Sequence, residues 1–379
     1  MLRQKHQQQD QQEPVVLKLH ISPILMEDNS DLIKGRGAQM QAKSRFHTQE
    51  IVQEHIEGID EVNDINTPTQ YLYENAKQIV NKVDSPDIGL AYSMNPYQGC
   101  EHGCIYCYAR NSHEYWGYNA GIDFEKKIII KRNAASVLAK TFEKPNWEVL
   151  PIMFSGNTDC YQPIERKLQI TRNMLQVIAK YKHPVGMITK NHLITRDIDI
   201  LKDLAAQQLV HVSISITSAR DEIRQKLEPR ASAISQRLKT VEALAKENIP
   251  VNVMIAPIIP GINHHEIPQI MKQVADAGAS SAGYTIVRLN GAIGVVFEDW
   301  IRKAYPDRAE KVLNQIKECH GGSLNDSRYG TRMRGEGNIA TSIKDLFIVS
   351  RKKYLSGRSF PPLRTDLFVR SNKGQLGLF

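Results

Sequence analysis

The sequence predicts an α/β fold: an open, partial (β/α)6 barrel carrying N-terminal and C-terminal extensions. Three observations predict it. Short apolar, β-branched runs recur from about residue 86 onward. Amphipathic stripes at helical spacing separate them. Polar residues gather just after the strand runs, where parallel α/β barrels keep their chemistry.

Residues 1–12 include Gln-Gln-Gln-Asp-Gln-Gln and read as a disordered tail. Residues 13–85 show weak periodicity and form an N-terminal extension placed to wrap the main domain. Strand runs then fall at 127–131, 151–155, 185–189, 210–216, 251–256 and 283–289. Between them Ile170, Met174, Leu175 and Ile178 share one helical face. So do Ile198, Leu201, Leu204 and Ala205, and again Leu238, Val241, Leu244 and Ala245. Pro250 stops the third helix before the next strand. Repeated β–α units imply a parallel sheet with right-handed crossovers. About six units fit a partial barrel over residues 86–290, and a doubly wound sheet is the alternative that periodicity leaves open. Residues 291–379 carry Gly321-Gly322 and the run Arg328-Tyr329-Gly330-Thr331-Arg332-Met333-Arg334-Gly335. They read as a basic extension that closes the open barrel.

Composition narrows the class. The chain has 379 residues, 41% hydrophobic and 24% charged, as soluble proteins do. No run approaches the roughly 20 apolar residues of a membrane helix. Five cysteines and no apolar leader point to a reducing compartment, so the cytoplasm is expected. Net charge is +8, yet residues 301–379 alone hold 16 Lys and Arg against 7 Asp and Glu. A basic end attracts phosphate backbones, although a merely solvated surface has the same composition. Neither C2H2 spacing nor an RNP signature is present.

Cys100, Cys104 and Cys107 lie in one Gly-flanked loop with C-x3-C-x2-C spacing. Structural zinc wants four ligands in paired spacing, which is missing here. Disulfide pairing does not suit a reducing compartment, and Glu101 and His102 between the cysteines do not look like core. Three thiolates from one loop are one short of the set that closes an iron–sulfur cube. A cube held this way keeps one iron open to another ligand.

The run Cys100-x3-Cys104-x-Tyr106-Cys107-Tyr108 resembles the radical S-adenosylmethionine (SAM) superfamily. The longer stretch from Asn95-Pro96-Tyr97-Gln98-Gly99 to Ala109-Arg110 is similar to its "DNA repair photolyase"-like branch, related to spore photoproduct lyase. Thr158-Asp159-Cys160-Tyr161-Gln162-Pro163, Thr189-Lys190, Leu227-Glu228-Pro229-Arg230-Ala231 and Ala256-Pro257-Ile258-Ile259-Pro260-Gly261 extend the likeness. Gly35-Arg36-Gly37-Ala38 and Arg332-Met333-Arg334-Gly335 mark an uncharacterised subgroup. The resemblance covers about residues 35–370. It implies a [4Fe-4S] cluster on the three cysteines and SAM on the open iron. It also implies a flavodoxin- or ferredoxin-like one-electron reductant, and reductive cleavage of SAM to a 5′-deoxyadenosyl radical.

The same resemblance suggests how SAM is held. Tyr106 and Tyr108 flank the third cysteine and are placed near the adenine, with loop packing as the plain alternative. Ser155, Asn157 and Asp159 stand where the superfamily receives the methionine amino group, and turn chemistry explains them equally well. Lys190, at a strand end, is expected to pair with the SAM carboxylate rather than to be an idle surface lysine. Ser215 is a candidate for the ribose or amino group, or a half-buried strand serine. Glu228 and Arg230 are candidates for SAM or substrate contact, with an internal salt bridge as their plain role. The backbone at Ala256 is expected to meet the adenine. Cys160 could donate a hydrogen atom to a product radical, as a non-cluster cysteine does in the lyase relatives. Buried packing is the commoner fate of such a cysteine. Cys319 reads as structural.

Three functions stay open on sequence alone. One is a radical enzyme acting on nucleic acid or a nucleotide. A second is the same chemistry on a peptide or metabolite. The third is a non-catalytic iron–sulfur protein that binds nucleic acid. Salt-sensitive nucleic-acid binding separates the first from the second.

Overall fold

The computed structural model describes residues 32–46, 68–87, 89 and 91–370. The expected tail at 1–12 and much of the N-terminal extension lie outside the described residues. All described residues belong to one compact unit beginning at Leu32.

Among the described residues, ten strands form two sheets. The smaller joins β1 (Gln70–Glu74), β4 (Tyr97–Gln98) and β5 (Lys127–Lys131) in the order β1-β5-β4. The larger contains β2 (Val80–Lys82), β3 (Tyr92–Met94), β6 (Ile152–Phe154), β7 (Val185–Thr189), β8 (Val210–Ser215), β9 (Val251–Ile258) and β10 (Ser281–Ile286). Its order is β10-β9-β8-β7-β6-β3-β2. From β3 to β10 each pairing is parallel, and only β2 runs antiparallel at its edge. The expected six parallel strands are therefore present in an open barrel, with one exchange of membership. The 127–131 run is a strand of the small sheet, and Tyr92–Met94 supplies the first barrel strand.

The barrel helices are α2 (Ala134–Phe142), α4 (Ile170–Tyr181), α5 (Ile198–Ala206), α7 (Ile234–Lys246) and α8 (Ile267–Asp276). The stripe Ile170, Met174, Leu175 and Ile178 is fully engaged in the main core, as are Leu201, Leu204, Val241 and Leu244. Burying each such side chain contributes roughly 1.5–3 kcal/mol. Lys182, Gln208, Asn248 and Gly278 take left-handed backbone where helix turns back into strand, the usual way to end a helix sharply. Short helices α1 (Asp123–Lys126), α3 (Glu165–Leu168) and α6 (Asp221–Leu227) sit in loops.

The C-terminal stretch has several jobs. Helices α9 (Ala292–Ala304) and α10 (Ala309–Cys319) build a second core from Val296, Phe297, Trp300, Val312 and Ile316. Ile105, Cys104 and Tyr106 of the cysteine loop pack into it. Met333 then accepts a hydrogen bond (3.0 Å) from Ile286 N–H, covering part of the free β10 edge. Helix α11 (Gly337–Leu355) docks on α8 and β10. The tail crosses the amino ends of the strands. There Pro361 C=O meets His211 Nε2 at 2.5 Å, and Arg364 N–H and Val369 N–H donate to Gln208 and Tyr181 carbonyls.

Candidate active site

The cysteine loop lies between β4 and the short helical turn Tyr108–Trp116. Cys100 and Cys104 are buried, Cys107 is half-buried, and all three thiols are free. Anchors from four distant segments fix the loop. Cys100 N–H donates to Phe124 C=O (2.8 Å), Ile105 N–H to Leu227 C=O (3.0 Å), and Arg230 N–H to His102 C=O (3.2 Å). Gln162 accepts from Glu101 N–H (3.0 Å) and donates to Gly99 C=O (3.3 Å). Glu101 accepts from Ile164 N–H and the Tyr71 hydroxyl, both at 3.0 Å.

The upstream glycines seat the other side. Gly103 has φ +68, which favours glycine. A methyl group on Gly37 would overlap the Gly103 carbonyl. The buried Glu125 carboxylate accepts from Gly37 N–H (3.2 Å), Ala38 N–H (2.8 Å) and the Arg110 guanidinium (2.5 Å). Arg110 also donates to Cys104 C=O (3.0 Å). Gly37 and Ala38 thus pack against the loop.

The donor set fits an iron–sulfur cube. Burial pushes the Cys104 thiol up to about 12, with Lys190 pulling it down, and burial also raises the Cys100 thiol. Three such thiolates in one loop repel one another and need a multivalent cation beside them. Among the described residues no three His, Cys, Asp or Glu side chains converge on a single ion. A cube does not ask for convergence, since each thiolate takes its own iron.

The residues expected to hold SAM divide into two groups. In the first, the polar ends are used inside the protein. Ser155 has φ +79, and its hydroxyl bridges Thr158 C=O (2.6 Å) and Cys160 N–H (2.5 Å). Asn157 donates to Gln98 (3.1 Å) and Ser112 (2.9 Å). Tyr108, largely exposed, donates its hydroxyl to Gly156 C=O. Tyr106 donates to the Glu228 carboxylate, which also accepts from Thr217 (2.5 Å) and from the buried Arg237 guanidinium. The plain reading of Glu228, an internal salt bridge, is thus realised. Burial opposes its charge, but Arg237 and Lys190 bring its carboxyl down to about 2.

Asp159 is equally engaged. It accepts from Thr189 Oγ1 (2.7 Å), Lys190 N–H (2.9 Å) and Tyr161 N–H (2.9 Å), and lies 3.3 Å from His102 Nδ1. His102 Nε2 faces the Asn191 amide at 3.3 Å. Burial would raise the Asp159 carboxyl, but His102 and these donors lower it to about 2. Asp159 therefore clamps the cysteine loop to the ends of β6 and β7.

The second group keeps free polar ends. Among the described residues, the half-buried Lys190 ammonium has no hydrogen-bond or ion-pair partner. It stands 5.8 Å from the Tyr106 ring centre. Burial works against its charge, yet Cys104 and Glu228 hold its pKa above the ordinary lysine value. The Ser215 hydroxyl and the exposed Arg230 guanidinium make no protein hydrogen bond among the described residues. Ala256 C=O accepts from Thr217 Oγ1 (3.1 Å).

Cys160 has no exposed surface and packs in the main core, which supports packing as its role. Cys319 is buried there too. Sequence reasoning missed Gln162, Glu125, Arg110 and Arg237 as site-forming residues. Gln162 and Arg110 lie in runs that carry the resemblance, but which groups all four residues hold shows only in the fold.

Comparison with known proteins agrees with this geometry. Residues 94–274 match the model of the radical SAM superfamily. An uncharacterised protein of Mycobacterium tuberculosis is 30% identical over 234 residues, 61% of this chain and 69% of that one. A radical SAM Nα-GlyT isomerase of Pseudomonas phage M6 is 22% identical over 241 residues, 63% of this chain and 48% of that one. A solved mutant of spore photoproduct lyase with bound AdoMet and dinucleoside spore photoproduct superposes with TM-score 0.58 at 16% identity. That match covers 80% of this chain and 86% of that one, and it shows a shared fold.

Proposed function

The chain belongs to the radical SAM superfamily, and from that premise we propose that Cys100, Cys104 and Cys107 hold a [4Fe-4S] cluster while Lys190 receives the carboxylate of SAM. The observation that carries this reading is three free thiols in a rigidly anchored loop, beside an ammonium without a protein partner. Held by Cys100, Cys104 and Cys107, such a cluster would supply the one electron for reductive cleavage of SAM to a hydrogen-abstracting radical. The protein's own part is positioning. Asp159 and Glu228 hold the loop and the Lys190 strand end in register. Ser215, Arg230 and the Ala256 backbone border the space left for SAM. Tyr106 and Tyr108 form its aromatic wall.

We place the substrate among nucleic acids and nucleotides. The net charge of +8 supports this. So does a protein of similar fold, a lyase solved with a bound dinucleoside photoproduct. A flavodoxin- or ferredoxin-like protein in a reducing cytoplasm is the expected reductant. Among the described residues, no helix is long and apolar enough to cross a membrane.

The test is 5′-deoxyadenosine production by anaerobically reconstituted protein given SAM and dithionite. Wild type is expected to form it, and Cys104→Ala to form none. Wild type that binds about four irons yet makes no product would overturn the enzymatic reading in favour of an iron–sulfur binding protein.

A further inference from the structure

We infer that Arg288 forms a subsite for a phosphate group of the substrate at the rim of the barrel mouth. This rests on the reading of that mouth as the radical SAM site. Arg288 lies two residues beyond the carboxyl end of β10. Its backbone is fixed from both sides: Val287 N–H donates to Ile258 C=O (2.9 Å) and Leu289 N–H to Leu324 C=O (3.0 Å). Asn290 C=O accepts from Asn111 (2.7 Å), which ties this stretch to the turn that follows Cys107.

The side chain is half-buried. Among the described residues, its guanidinium has neither a hydrogen-bond acceptor nor an ion-pair partner. Nearby acids are already taken. Asp87 accepts from Arg332 Nε (2.5 Å) and Gly330 N–H (3.0 Å). Asp326 accepts from Arg328 (2.9 Å) and Thr331 (2.8 Å). Burial, with the like charge of Arg332, lowers the Arg288 pKa against the opposing pull of Asp87 and Asp326.

Lys190 follows the carboxyl end of β7 and Arg288 that of β10, so both cations lie on the same side of the open barrel. SAM carries one carboxylate, which Lys190 suits. Arg288 remains for a second anion. A guanidinium presents parallel N–H donors that match phosphate oxygens, where an ammonium is only a point charge. A free nucleotide and a polynucleotide strand offer the same group.

The probe is a fluorescein-labelled, random-sequence single strand of about twelve deoxynucleotides, read by anisotropy from about 50 to 200 mM salt. Wild type is expected to bind, and Arg288→Gln to bind at least about tenfold more weakly, with the slope of log K on log salt smaller by about 1. Arg288→Lys should keep the slope. Arg364→Gln, altered on the opposite face of the sheet, should match wild type. Competition by mixed mononucleotides at equal phosphate identifies a free nucleotide as the source, and competition by strand alone identifies a strand. An Arg288→Gln isotherm equal to wild type, or no binding by wild type, overturns the subsite. If Arg288→Gln melts well below wild type, Arg288→Lys decides: a retained slope supports the subsite and a lost one overturns it. These readings use neither SAM nor reductant. Missing deoxyadenosine therefore counts against the radical reading alone, and an unchanged Arg288→Gln isotherm against the subsite alone.

Discussion

At the carboxyl ends of the strands, Lys190, Arg230 and Arg288 keep cationic groups without a protein carboxylate among the described residues. At the amino ends, the arginines of the tail are used for building. Arg358 donates to Ala275 and Ala279 carbonyls (2.8 and 2.5 Å) where α8 ends. Arg364 pairs with Asp366 at 2.7 Å, and Arg370 donates to Lys144 and Pro145 carbonyls. Phe368 meanwhile stacks with Tyr181 and meets Phe142 and His183 edge-on. The contrast teaches that an excess of positive charge does not locate an anion site. Whether each cation already has a partner does.

Substitutions on the two faces should therefore separate iron retention from stability. The largest effect is expected for Arg237→Ala. It strands the buried Glu228 carboxylate, and losing one member of such a pair costs about 3–5 kcal/mol. Urea unfolding measures that cost, and iron per chain after reconstitution should fall with it. Retained iron in this variant would break the link between Glu228 and the loop.

Asp159→Asn should come next. A carboxyl moved from 3.8 to about 2 in the folded state contributes about 2 kcal/mol at neutral pH. Its folded-state pKa is depressed, so this contribution is present above pH 4 and lost as pH falls toward 2. The gap in unfolding free energy between wild type and Asp159→Asn should accordingly close over that window. A gap independent of pH would sink the clamp.

Arg358→Ala should have the smallest effect, about 1 kcal/mol for its hydrogen bonds, with no change in iron content. A loss of iron from this face would erase the distinction between the two.

Much of the fold is legible in the sequence because its signals are local. The cysteine loop, the strand at 185–189 and the stripe on α4 each declare themselves within a dozen residues. Tyr92–Met94 does not, because three residues are too short for any period to show. An apolar run such as Lys127–Lys131 reveals that it is a strand but not which sheet it joins. In the site, residue types were readable and partners were not. The sequence shows Asp159 and Asn157 as polar strand-end residues but not that His102 meets the first or that Gln98 and Ser112 accept from the amide of the second. Arg288 follows a strand end as Lys190 does, and only the saturation of Asp87 and Asp326 singles it out.

The anchoring of the cysteine loop also dictates an order of events in folding. Contacts between distant residues form late, because the chain between them must first be confined. The loop depends on Gly37 and Ala38 upstream, on Asp159 and Gln162, and on Leu227 and Arg230, with Glu228 steadied by Arg237. A nascent chain cannot assemble the receiving pocket until residue 237 is in place. A cluster held as proposed above would therefore enter a pocket whose walls are already in place.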